Sequence, residues 1–185
     1  MDGPRTDPLL LSLAAGDERA FAALYDRFAG RMYRVALRLL GCREDAEDVV
    51  QDVFLAAVRS RERLGDVRDL TAYLFAALYR AAGRCALRRL RALQVSPAAV
   101  SEAIAPVERV AAYDAESPRL QQAIRSLPDE QREVLTLKID GELTFAQIAQ
   151  VTGVSLSTAA SRYHYALEKL KTSLVGARTS LERSC

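Results

Sequence analysis

Apolar residues in the first forty positions recur at helical spacing, not at the alternation of a strand. Phe21, Leu24, Phe28, Met32, Val35 and Leu39 lie three or four apart and so share one helix stripe. Asp17 stands where an N-cap belongs and Gly41 where the helix must stop. A second helix is predicted from near Arg43 to about Arg63, with Ala46, Val50, Val53 and Ala57 on its inner line. A short polar loop, Gly65 to Asp69, leads into a third, Leu70 to Leu93. There Tyr73, Ala77, Leu78, Ala81 and Ala82 point inward.

Between Ala92 and Glu116 the periodicity fades. Pro97 and Pro106 interrupt a stretch of small and acidic residues, which reads as a linker with a short helix from Pro106 to Tyr113. Regular pattern resumes at Ser117-Pro118, a cap followed by proline at the first helical position. Leu120, Ile124 and Leu127 face inward, and Leu127-Pro128 separates this helix from the next. That one opens with Asp129 and Glu130, favoured by the helix dipole. Val134, Leu135 and Ile139 carry it on, and Gly141 ends it.

The segment Thr144 to Lys171 is the most specific in the chain. Thr144 and Gln147 have capping-box spacing. Ile148, Ala149 and Val151 supply an apolar side, Gly153 a turn, and Ser155 a second cap. Behind it Ala159, Tyr163, Ala166, Leu167, Leu170 and Leu174 form one stripe. Ser157, Thr158, Ser161, Arg162 and Tyr165 form the opposite, polar face. Two short helices, a Gly turn and a hydrogen-bonding second face describe a helix-turn-helix, whose second helix fits the DNA major groove. Helical hairpins without DNA share these features, so the rest of the chain must decide.

Charge changes the picture through its distribution. The net charge is only +2. Yet Glu44, Asp45, Glu47, Asp48 and Asp52 crowd one stretch without a base, and Arg80, Arg84, Arg88, Arg89 and Arg91 another without an acid. Such segregation points to two different partners. Asp48, Gln51 and Asp52 share one outer helix face, being three and four residues apart.

Catalytic chemistry is missing. The one histidine, His164, has no partner for nucleophilic catalysis, and no Gly-rich phosphate loop follows a strand. Cys42, Cys85 and Cys185 lack zinc or redox spacing, which leaves two core thiols and one terminal thiol. No metal or cofactor is expected, and the chain is not read as an enzyme. No apolar run is long enough to span a membrane, and Leu9 to Leu13 is too short for a signal peptide. Cytoplasmic location follows as an expectation.

The blocks RLLGCREDAEDVVQDVFLAAV, TAYLF, SLPDEQREVLTLKIDGELTFAQIAQVTGVS and STAASRYHYALEKLK resemble bacterial sigma factors, more narrowly the extracytoplasmic-function group. The likeness runs from about Gly16 to Leu174, excluding the linker. It implies an all-α fold of two small helical domains joined by a flexible linker, the second a helix-turn-helix. The divisions are 1–93, a linker at 94–116, 117–175, and a frayed tail at 176–185.

The resemblance also implies partners. An alternative sigma factor binds core RNA polymerase and directs it to promoter DNA. Asp48, Gln51 and Asp52 match the segment that docks on the beta-prime clamp helices. Arg68, Tyr73, Arg80 and Arg84 match the part that engages the minus-ten element, with Arg88 and Arg91 on the backbone. Ser157, Thr158, Ser161, Arg162 and Tyr165 match the reader of the minus-thirty-five element, where Arg162 has the bidentate geometry for guanine or phosphate. An anti-sigma factor is a further partner the family allows.

The sequence departs from the family pattern at several positions. Ala76 and Ala160 stand where basic residues are common, Tyr79-Arg80 where Arg-Asn is frequent, and His164-Tyr165 where His-Arg is usual. No Trp accompanies Tyr73. The competing reading is a free-standing helix-turn-helix regulator, which would need a sensing or dimerising domain in place of the acidic and basic helices. A helical adaptor, the third class, would need no DNA contact.

Overall fold

The computed structural model describes residues 8–92 and 118–182, with side chains described through 174. Every regular element in these residues is helical. Four α-helices form the first half: α1 (Pro8–Ala15), α2 (Glu18–Leu40), α3 (Arg43–Arg59) and α4 (Leu70–Ala92). A 3-10 turn, Arg61–Asp66, joins the last two. The second half holds α5 (Pro118–Arg125), α6 (Asp129–Ile139), α7 (Phe145–Thr152) and α8 (Leu156–Glu182). The linker at 94–116, its short helix at Pro106 to Tyr113 and the Ser117 cap lie outside the described residues.

Local stop and start signals set most boundaries. Asp17 accepts a hydrogen bond from the Arg19 N–H at 2.9 Å. Gly41 ends α2 in the left-handed region. Both halves of the Thr144–Gln147 capping box are present, and Gly153 closes α7 at φ 74°. Ser155 accepts from the Thr158 N–H at 3.0 Å.

Several expectations need correction. The second helix stops at Arg59, not Arg63, because the chain tightens into the 3-10 turn. Gly65 and Asp66 belong to that turn, which shortens the polar loop to Val67–Asp69. Leu9 to Leu13, set aside as a short apolar run, lies in α1, whose Leu10 and Leu13 are buried as α1 packs on the turn that carries buried Leu64. On α6, Ile139 is 57% exposed and Leu137 fills the core instead. On α8, Leu167 faces solvent, and the helix continues to Glu182, through most of the tail expected to fray.

The halves share one core. Phe28, Met32, Leu74, Phe75 and Leu78 of the first half cluster with Val134, Leu137, Leu143, Ile148, Val151 and Ala159 of the second. Helix α7 lies on α4, and α6 meets α2. A smaller cluster of Ala123, Leu127, Leu135, Ala166 and Leu170 holds α5, α6 and α8 together. Aliphatic and aromatic side chains buried this fully each contribute roughly 1.5–3 kcal/mol, so the joint between the halves is a packed one.

Candidate polymerase and promoter surfaces

Helix α3 buries Ala46, Val49, Val50, Val53 and Ala57. That burial turns Asp48, Gln51 and Asp52 outward, and all three are exposed. Gln51 borders a groove of about 690 Å³ between α2 and α3, floored by Tyr25, Tyr33, Phe54, Leu55 and Val58. Tyr25 and Phe54 pack with ring centroids 5.0 Å apart. Tyr25, Leu55 and Val58 are exposed, although such side chains gain from burial. The sequence carries the signal: Phe54, Leu55 and Val58 follow Gln51 at three, four and seven residues and extend its face. Inward packing alone does not account for them.

The acidic and basic stretches are not wholly separate. Arg89 on α4 donates to Asp45 on α3 at 3.2 Å, so part of each cluster satisfies the other. Arg80, Arg84, Arg88 and Arg91 remain exposed along α4, and Arg68 is exposed just before it. Asp69 caps α4 by accepting from the Ala72 N–H at 2.9 Å. Tyr73 is half-buried and packs on the core. Tyr79 turns to the other half and donates its hydroxyl to Glu133 on α6 at 2.8 Å. Burial first, then this carboxylate, raises the Tyr79 phenol above its ordinary range. Burial likewise raises the Glu133 carboxyl, helped by Asp129 and Glu130, against the Tyr79 hydrogen bond and Arg162.

On α8, Ser157, Ser161 and Tyr165 are exposed, and Thr158 is half-buried. The Ser161 hydroxyl donates back to the Ser157 carbonyl at 2.7 Å. Arg162 is only 27% exposed at its side chain and lies 3.7 Å from Glu130 of α6. Tyr165 borders a cleft with Gln131 and Lys169 on the flank of α8. The five residues therefore do not form one uniform face. Ser157, Ser161 and Tyr165 are exposed at successive turns, whereas Thr158 is half-buried and Arg162 leans on α6. His164 faces Glu168 at 3.5 Å, one turn on.

Among the described residues no group of three or more His, Cys, Asp or Glu is placed to hold a metal ion, and no helix is long and apolar enough to cross a membrane. Cys85 is buried as expected. Cys42 is only half-buried, because it stands at the start of α3 instead of inside the core. Cys185 lies outside the described residues.

Two family matches fall on these surfaces. Sigma-70 region 2 matches residues 24–94, which hold the acidic helix and the arginine helix. Sigma-70, region 4 matches residues 117–170, which hold the helix-turn-helix. The chain is 27% identical over 175 residues to the ECF RNA polymerase sigma factor SigW of Bacillus subtilis, covering 86% of this chain and 91% of that one.

The chain belongs to the extracytoplasmic-function sigma factors. It is an alternative sigma factor that directs transcription initiation, and its partners are RNA polymerase and promoter DNA. A free-standing regulator would not carry the region 2 half. Among solved structures, CnrH in complex with the cytosolic domain of CnrY is similar, with a TM-score of 0.63 and 25% identity over 91% of this chain and 96% of that one. RpoE of Bartonella quintana in complex with the anti-sigma factor NepR shares the fold at a TM-score of 0.58 and 22% identity, over 90% and 91% of the two chains.

Proposed function

We propose that this sigma factor grips the beta-prime clamp helices of the polymerase with the outer face of α3. Asp48 and Asp52 steer and orient a basic helical partner. Gln51 leads into the apolar groove, where Tyr25, Phe54, Leu55 and Val58 provide area to bury. The observation that carries this reading is the groove itself: an aromatic and aliphatic floor open to solvent, bordered by an amide and flanked by carboxylates. It has the composition of an interface core with a charged rim.

Two separate DNA readers complete the proposal. Arg68, Arg80, Arg84, Arg88 and Arg91 contact the backbone of the melting minus-ten element, and Tyr73 offers a ring on which a base stacks. Ser157, Thr158, Ser161, Arg162 and Tyr165 serve the minus-thirty-five element. Residues 1–93 and 117–175 act as the two modules, with 94–116 as tether, so that binding of one raises the local concentration of the other. The protein works without catalysis of its own and in the cytoplasm. RpoE of Bartonella quintana, of similar fold, is in complex with the anti-sigma factor NepR, and CnrH with the cytosolic domain of CnrY, which supports an anti-sigma factor as a further partner of this chain.

Replacing both Asp48 and Asp52 by Lys tests the polymerase surface. The double variant is expected to fold normally by circular dichroism and to lose retention on immobilised core polymerase. Normal retention would refute the assignment of α3.

A further inference from the structure

We propose that Leu156, with Ala160 one turn on, reads the methyl group of a thymine in the minus-thirty-five element. The proposal rests on the DNA-reading role of α8 given above and adds the base chemistry that α8 selects.

The hydroxyls in the first two turns of α8 are already engaged. Ser155 accepts from the Thr158 N–H at 3.0 Å. Its oxygen also lies 2.9 Å from the Ser157 hydroxyl and 2.8 Å from that of Thr158. The Ser161 hydroxyl donates back to the Ser157 carbonyl at 2.7 Å. Arg162 is turned to Glu130. Donors that could tell one base edge from another by hydrogen bonding are thus largely committed inside the protein.

Leu156 is the opposite case. It is the first residue of α8 and is 57% exposed, although a Leu gains from burial. Ala159, Ala166 and Leu170 fill the inner line of α8, and Leu156 stands off it. Ala160 follows four residues later, so the two side chains share one edge of the helix. That edge adjoins the exposed Ser157 and Ser161 and so continues the face that reads DNA. Residues at the start of a recognition helix are the ones that reach base edges. In the major groove the one methyl group that a base pair presents is that of thymine. An apolar pair at this place matches that methyl and has no partner for the amino group of cytosine or the oxygen of guanine. Ala160 stands where basic residues are common in the family. With Ala there the edge is apolar throughout, and a charged contact is exchanged for methyl recognition.

Polymerase holoenzyme carrying the full-length chain tests this on a promoter mapped with this protein. Single thymines of the minus-thirty-five element are replaced by deoxyuridine, which removes the methyl and keeps every hydrogen-bonding group. Footprint titrations give the affinity. At one thymine or more the parent is expected to bind about fourfold more weakly, the loss from one buried methyl. L156A is expected to bind the thymine promoter more weakly than the parent and to be indifferent to deoxyuridine at that position, with a urea midpoint close to the parent's. Equal affinity for thymine and deoxyuridine at every position overturns the proposal. So does a minus-thirty-five element without thymine, or a penalty that persists undiminished in L156A. The parent's footprint on the unmodified promoter separates the two levels. Its absence over the minus-thirty-five element refutes the promoter-reading role of α8, whereas a normal footprint with indifference to the methyl refutes the role of Leu156 alone.

Discussion

Gln147 has two roles, one local and one distant, and only the local one has a signature in the sequence. Its place three residues after Thr144 marks the capping box, and that role is realised. Replacing Thr144 by Ala should cost about 1 kcal/mol, read as a lower midpoint in urea unfolding. The bond from Gln147 to Asp69 crosses from one half to the other, and no spacing rule points to it. The same holds for Arg31, Arg34 and Arg38. Their spacing shows a shared face on α2, but their acidic counterparts lie about a hundred residues on, at Asp140 and Glu142. Glu133 adds a pH dependence. Burial raises its carboxyl above the ordinary value, so the folded state binds the proton more readily. The stabilisation is therefore full below the ordinary carboxylate value and is lost as pH rises through the raised one. Asp129, Glu130, Arg162 and Tyr79 are the charged and titratable groups around it. Urea titrations of E133Q and the parent should converge in acid and diverge in favour of E133Q towards neutrality. A constant gap across that range would contradict the assignment.

Elements were legible where their signals are local. Asp17, Gly41, Thr144, Gly153 and Ser155 each act within a turn of themselves, and all mark boundaries as expected. The misses occur where a partner elsewhere decides. Helix α1 is short, and its apolar residues make sense only once the turn bearing Leu64 is beside them. On α6, the first and second halves compete for burial on two sides, so a one-stripe reading selects Ile139 where Leu137 is inside. Leu167 departs for a related reason: the stripe on α8 is wider in sequence than the small cluster it meets. Two changes test the packing of these elements. A Cβ at Gly141 would meet the Leu137 carbonyl oxygen at 2.6 Å and Leu143 Cδ1 at 2.8 Å, so G141A should destabilise by about 1–3 kcal/mol as an overpacked site. Phe75 is fully buried, and F75A should cost about 3–5 kcal/mol. Chemical denaturation measures both, and a loss under about 1 kcal/mol for F75A, far below the usual cost of such a truncation, would contradict the shared core.

At the scale of the molecule, charge segregation pointed towards two kinds of partner, and the small net charge is the sum of opposite clusters carried on different helices. Acids on α3 and arginines on α4 partly pair with one another, as Asp45 and Arg89 do, and otherwise face outward on different helices. Charge and helical spacing placed the exposed candidates well, because Asp48, Gln51, Asp52, Arg80, Arg84, Arg88 and Arg91 all reach solvent. The apolar groove beside Gln51 was missed although its spacing signal is present, since Phe54, Leu55 and Val58 look like core until the inner line of α3 is seen to be full. The central claim is that this chain, bound to polymerase, chooses where transcription begins. Sequencing the 5′ ends of RNA made by purified core polymerase on genomic DNA, with and without the protein, tests it most directly. The account predicts a new set of start sites sharing two upstream elements, absent when the D48K/D52K variant is supplied. An unchanged set of start sites with folded parent protein would contradict it.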